Sequence, residues 1–158
     1  MAEVKVLFLC SGNTCRSPSA EAVLRAKLAD AGLTARVDVA SAGLAGPPVG
    51  QPASALAVSC AATRGYDLSA HRTRPLVSAD LEAFELIVMM DRGHRDKLRV
   101  LCPENTIAKC HLLRAFSDDP DGEVSDPFGG DEADYRRALA QIEEAMPGLI
   151  AALRHALA

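Results

Sequence analysis

The sequence has no tryptophan, and aromatic residues of all kinds make up only 4% of it, so any core must be built from aliphatic and alanine side chains. It also lacks an excess of positive charge. Lys and Arg number 17 against 21 Asp and Glu, a formal net charge of −4, which excludes a nucleic-acid or anionic-membrane binder held by bulk charge. Any anion site must therefore be local. No apolar run approaches the length of a membrane span. The start, Met1 to Lys5, has neither the basic n-region nor the cleavage motif of a secretory signal. There is no CxxC pair and no repeated cysteine spacing. Five cysteines, an odd number, suit free thiols in a reducing cytoplasm better than a disulfide framework or a zinc site. Internal repeats and low-complexity segments are absent as well.

What the sequence does have is 49% hydrophobic and 24% charged residues over 158 positions, enough for a sizeable core and the usual size of one domain, 1–158. Val4 to Leu9 is a short apolar run predicting a strand, and Ala20, Val23, Leu24 and Leu28 follow at helical spacing. Gly32 marks the end of that helix, and Arg36 to Ala40 reads as a second strand. Ser41 to Pro52 is a Gly- and Pro-rich loop, Ala53 to Arg64 a second helix stopped at Gly65, and the loop beyond it carries His71. Leu86 to Met90 predicts a strand covered on both faces, Arg92 to Leu101 a helix ending before Pro103, and Ile107 to Leu113 a fourth strand. Ser117 to Gly130 is a long surface loop. From Asp131 a final helix places Tyr135, Leu139, Ile142, Met146, Leu149 and Leu153 on one face.

Strands alternating with helices predict a doubly wound α/β domain, a four-stranded parallel sheet flanked by helices on both faces. Ligands in such folds lie beyond the carboxyl ends of the strands, which gathers the loops after Leu9, Ala40, Met90 and Leu113 around one crevice. Cys10-Ser-Gly-Asn-Thr-Cys-Arg16 follows the first strand directly, with five residues between Cys10 and Arg16, and Ser17-Pro18 opens the helix. A tight loop from a buried strand to a helix N-terminus turns backbone N–H groups inward as a nest for a tetrahedral oxyanion. Gly12 permits close backbone approach and Asn13 tolerates the left-handed conformation that curling requires. Ser11, Gly12, Asn13, Thr14, Cys15, Arg16 and Ser17 thus form a candidate phosphate cradle. The planar fork of Arg16 can hold two phosphoryl oxygens, and a cysteine at the bottom of such a nest is poised as a nucleophile, with the Ser17 hydroxyl able to donate to its sulfur. The leaving atom needs a proton from the opposite side. Asp118, Asp119, Asp121, Asp126 and Asp131 are all candidates on chemistry alone.

CSGNTCRS at Cys10–Ser17, Ser41-Ala42-Gly43, Asp67-Leu68-Ser69 with His71-Arg72, and Asp126-Pro127-Phe128 together resemble the low-molecular-weight protein tyrosine phosphatases, in order along the chain from Val4 to the last helix. The resemblance implies hydrolysis of phosphorylated side chains in proteins or peptides through a phosphocysteine intermediate, without metal or cofactor and with inorganic phosphate as product. It implies Cys10 as nucleophile, Arg16 as phosphate clamp and Asp126 as general acid, with Asn13, Ser17, Ser41 and His71 bracing the loop and Cys15 as a second loop cysteine.

Where tyrosine-specific members have aromatic walls, this chain has Pro47 and Phe128-Gly129, and Thr14 stands where they carry an aliphatic residue. CSGNTCRS with Asp126-Pro-Phe-Gly-Gly130 resembles instead the bacterial branch that acts on phosphoarginine, a reading the acidic residues Asp118, Asp119, Asp121 and Glu123 favour through attraction of a cationic substrate. A tyrosine phosphatase is the alternative. An arsenate reductase would need redox cysteines near Met90, whereas Cys102 and Cys110 come later and read as structural; a non-catalytic phosphopeptide module would have no use for Cys10 and Asp126 together. His94 and His155 read as surface residues, and His111 as a cap or packing group.

Overall fold

The computed structural model describes residues 2–158; Met1, the first residue of the domain expected from the sequence, lies outside them. Four parallel strands, β1 (Val4–Cys10), β2 (Val37–Gly43), β3 (Leu86–Met89) and β4 (Cys110–Leu112), form one sheet in the order β2-β1-β3-β4. Helices α1 (Arg16–Asp30), α2 (Ala55–Thr63), α3 (Ser78–Ala83), α4 (Arg92–Leu101), α5 (Glu104–Ile107) and α6 (Glu132–Leu157) flank it. This is the doubly wound α/β architecture that the alternation predicts.

Because side chains alternate along a strand, β1 feeds two separate cores. Val6, Phe8 and Cys10 face one side and pack with residues of α1, α2 and α6, among them Val23, Leu24, Ala57 and Ile142. Leu7 and Leu9 face the other, with Ile87, Met89 and Leu98, where α3, α4 and α5 contribute Leu81, Leu98 and Ile107. Burial on both faces is why β3 is an unbroken apolar run and β1 is apolar at every position but Lys5. Register then aligns the strand ends: Cys10 pairs with Gly43, and Leu9 with Met89. The chain leaves β1 toward β2 on one side, whereas β3 lies on the other, so the loops after β1 and β3 diverge and open a crevice between them.

The main departures from the pattern in the sequence lie at β2, at β4 and in the short helix α3. β2 runs on through Ser41, Ala42 and Gly43 because these pair with Phe8, Leu9 and Cys10, and Gly43 is needed there: a Cβ on it would lie 2.9 Å from the Ser11 carbonyl oxygen. β4 is only Cys110–Leu112, since Ile107 ends the short α5 begun after Pro103, and Leu113 opens a 3₁₀ turn, Leu113–Phe116. Helix α3 is too short and polar to show periodicity. It is held by Asp80, which accepts from the Val77 N–H and from the Arg74 guanidinium. At the end of α1, Gly32 adopts φ 71° as expected of it. No helix among the described residues is long and apolar enough to cross a membrane.

Helix α6 begins with reciprocal caps between Asp131 and Asp134 and continues past Pro147. Beyond that proline, Gly148 lets the 3₁₀ turn rest directly on the helix, for a Cβ there would fall 1.8 Å from the Phe116 carbonyl oxygen. Alanine normally stabilises a helix interior by ~1 kcal/mol over glycine. Gly148→Ala is expected to do the reverse and destabilise by ~1–3 kcal/mol through overpacking, seen as a lower Tm in thermal unfolding; an unchanged or raised Tm would show that the turn yields.

Candidate active site

Between β1 and α1 the backbone turns its carbonyls outward. The Cys10 and Ser11 oxygens accept from the Leu44 and Ala45 amides at 2.9 Å, the Thr14 oxygen from Ser54 N–H at 2.9 Å, and the Cys15 oxygen from Ser19 N–H at 3.2 Å. The Asn13 oxygen accepts from Nε2–H of His71 at 2.7 Å. Among the described residues, none accepts from the amides of Ser11 to Ser17. They are left free on the inner side of the curl, at the N-terminus of α1, which is the arrangement that binds a tetrahedral anion.

Asn13 makes the curl possible. It sits at φ 57°, fully buried, and its amide is saturated: Nδ2 donates to the Ser17 hydroxyl at 2.9 Å and the Ser41 hydroxyl at 3.0 Å, while Oδ1 accepts from Arg74 N–H at 3.0 Å. Since Ser17 Oγ accepts from Asn13, its proton is free for Cys10 Sγ, 3.0 Å away. Buried Asn13, Ser17 and Ser41, with half-buried His71, therefore form one bracing network under the loop.

Above it lies a cavity of about 230 Å3 lined by Cys10, Ser11, Gly12, Thr14, Cys15, Arg16, Ala45, Asp126 and Phe128. Asp126, distant in sequence, thus meets Cys10 and Arg16 in one pocket. Asn13 and Ser17 lie beneath it rather than in its wall. Pro47 does not line it: Pro47 packs against Gly43, and Ala45 takes the position in the wall. Phe128 is 77% exposed at the rim.

The family described as "Low molecular weight phosphotyrosine protein phosphatase" matches residues 5–158. The chain belongs to this phosphatase family. A low-molecular-weight protein-tyrosine-phosphatase of Streptomyces coelicolor is 40% identical over 156 residues, covering 95% of this chain and 93% of that one. The solved protein tyrosine phosphatase of Entamoeba histolytica superposes with TM-score 0.92 at 33% identity, over 98% of this chain and 99% of that chain. The YwlE arginine phosphatase of Geobacillus stearothermophilus superposes with TM-score 0.84, also at 33% identity, over 96% and 94%. Like the family, the chain is a phosphoric-ester hydrolase that takes phosphorylated proteins as substrates.

Four residues of this phosphatase escaped the sequence reading. Asp91 follows β3 and does two jobs: Oδ1 caps α4 by accepting from His94 N–H at 3.1 Å, and Oδ2 accepts from Arg16 Nη1 at 2.9 Å. The Val124 carbonyl also accepts from Nη1 at 2.9 Å, so the guanidinium, 3% exposed, is held with Nη2 turned to Asp126 at 3.6 Å. Burial alone would push the Asp91 carboxyl up, but the Arg16 hydrogen bond and the nearby His94 bring it below its ordinary value. An acidic cap directly after a central strand was the available signal. Tyr135 and Ser54 are the next two. The Tyr135 hydroxyl lies 3.4 Å from Cys15 Sγ and 3.3 Å from Ser54 Oγ, tying α6 and α2 to the back of the loop. Cys102 and Cys110 stand at the end of α4 and the start of β4, and burial pushes both thiols up, Cys110 to about 11. His111 packs edge-on against Phe116.

The fourth is His94, which is not a surface residue. It is 2% exposed, Nδ1 accepts from Met90 N–H at 3.3 Å, and Nε2 meets Ser11 Oγ at 3.1 Å. Burial pushes its imidazole down to about 4 from 6.5. The folded state therefore keeps His94 neutral where the unfolded chain takes up a proton, so stability falls as pH drops from about 6.5 to about 4. In His94→Gln this part of the slope, up to ~1.4 kcal/mol per pH unit, should vanish, as urea unfolding at stepped pH would show; parallel wild-type and variant curves would contradict it.

Proposed function

We propose that this one-domain phosphatase removes phosphoryl groups from protein side chains through a phosphocysteine intermediate, and that phosphoarginine is its preferred substrate. The observation that carries the chemistry is the set of inward amides from Ser11 to Ser17 above Cys10, with Arg16 and Asp126 in the same pocket. Cys10 Sγ attacks phosphorus as the bond to the side-chain nitrogen or oxygen breaks, and Asp126 supplies the proton that the departing atom needs. Water then attacks phosphorus as the bond to Cys10 Sγ breaks, the Asp126 carboxylate takes a proton from that water, and inorganic phosphate leaves with the Cys10 thiolate restored. Amides and Arg16 stabilise the developing charge throughout, so the step does not require a divalent metal. Free thiols, the state of all the cysteines here, favour a cytoplasmic setting for such a nucleophile.

The preference for phosphoarginine rests on the walls. Thr14 puts a hydroxyl at the side of the cavity, and Phe128 is the one aromatic residue in its lining, so little is present to sandwich a phenyl ring. The tyrosine reading is favoured by the names of relatives such as the Streptomyces coelicolor enzyme.

Cys10→Ser should abolish turnover while keeping phosphate binding, because the amides remain. Asp126→Ala should cost ~10²–10⁴-fold with poor leaving groups and far less with an activated aryl phosphate; equal losses would point to another carboxylate. Thr14→Ile should shift the kcat/KM ratio from phosphoarginine toward phosphotyrosine by ~10–200-fold while an activated aryl phosphate is still hydrolysed. An unchanged ratio removes Thr14 from the argument, and a wild type that prefers phosphotyrosine makes the tyrosine reading the correct one.

A further inference from the structure

The hydrogen bonds around His94 leave only one tautomer. The Met90 amide donates to Nδ1, so Nδ1 carries no proton, and in the neutral ring the proton must sit on Nε2. Nε2–H then donates to Ser11 Oγ, 3.1 Å away. A hydroxyl that accepts through its oxygen must still place its own hydrogen. Among the described residues Ser11 Oγ has no second partner, and Ser11 forms part of the pocket wall directly beside Cys10. The strongest acceptor that can enter there is the anion bound by the loop.

We infer that His94 is a positioning residue, which by donating to Ser11 Oγ turns the Ser11 hydroxyl proton into the pocket as a side-chain donor to the bound oxyanion. This rests on the reading of the pocket as a phosphoryl site. It adds a specific role to Ser11 beyond its backbone amide, and it explains why a histidine is buried at the foot of α4. The ring stays neutral because burial outweighs the attraction of the Asp91 and Asp126 carboxylates, while Arg16 and Lys97 add repulsion. Asp91 ties His94 to the phosphate clamp: one carboxylate oxygen caps the turn that carries His94, the other holds Arg16.

The test is calorimetric titration of the whole protein with inorganic phosphate, alongside kcat and KM for an aryl phosphate. Ser11→Ala and His94→Phe should each weaken phosphate binding about tenfold, the effect of losing one hydrogen bond to a charged group. His94→Gln keeps a donor at the Nε2 position and should stay within about threefold of wild type. The double variant Ser11→Ala/His94→Phe should be no worse than either single, because both changes remove the same bond. Additive losses would mean that His94 is merely structural and would overturn the inference. If His94→Phe does not fold, His94→Asn decides: it retains the acceptor for Met90 N–H but stops short of Ser11, so it must reproduce the Ser11→Ala loss, and wild-type binding overturns the inference. Phosphate binding in Ser11→Ala equal to wild type sinks this inference alone, whereas a wild type that binds no phosphate sinks the phosphoryl-site reading as well.

Discussion

Everything at this site depends on one constraint, that a short stretch of backbone must leave its amides unbonded inside a protein. Buried N–H groups without acceptors are costly, and a loop will normally rearrange to avoid them. This loop cannot, because its carbonyls are already committed outward to the Leu44, Ala45, Ser54 and Ser19 amides and to His71. The unsatisfied donors are the binding energy for an anion, stored in advance by hydrogen bonds made elsewhere. Parallel pairing of β1 with β2 supplies the first anchor, since the chain just beyond Gly43 is where Leu44 and Ala45 must lie.

The bracing network and the Arg16 clamp are separate devices with a common logic. Asn13 spends its whole amide on Ser17, Ser41 and Arg74, so it has no freedom to relax from its left-handed conformation. Arg16 spends Nη1 on Asp91 and Val124, which leaves Nη2 facing the pocket. In both cases a group with several donors uses some of them to fix its own position. The protein thus loses little side-chain entropy when an anion arrives, because the cost was met on folding.

Much of this was legible in the chain. The strand, tight loop and helix at Cys10 to Pro18 show in order, and β3 announces its double burial as an unbroken apolar run. The residues that escaped notice share a reason. Asp91, His94, Ser54 and Tyr135 act through contacts between elements, and their local sequence explains them fully in other ways: Asp91 as a helix cap, Tyr135 as one more apolar position on α6, His94 as a polar residue among charges on α4. The sheet order, which sets the end of β3 beside the end of β1, makes Asp91 and His94 site residues, and the contact of α6 with the start of α2 does the same for Tyr135 and Ser54. Short elements such as α3 and α5 were lost because two turns or fewer cannot display a period. Pro47 stands where the resemblance implies a wall residue, but it packs against Gly43 and does not line the cavity.

The exposed rim has a different standing from the buried floor. Phe128 at 77% exposure and Asp126 on the same open loop contribute little to the core, whereas Asn13, Ser17 and Arg16 are sealed into it. Substitutions at the rim are close to neutral for stability, while those in the floor are purged with the fold itself. A lineage carrying this domain can therefore drift from one phosphorylated side chain to another by changing residues that fold stability does not guard, and the hydrolytic floor passes unaltered through each change of diet.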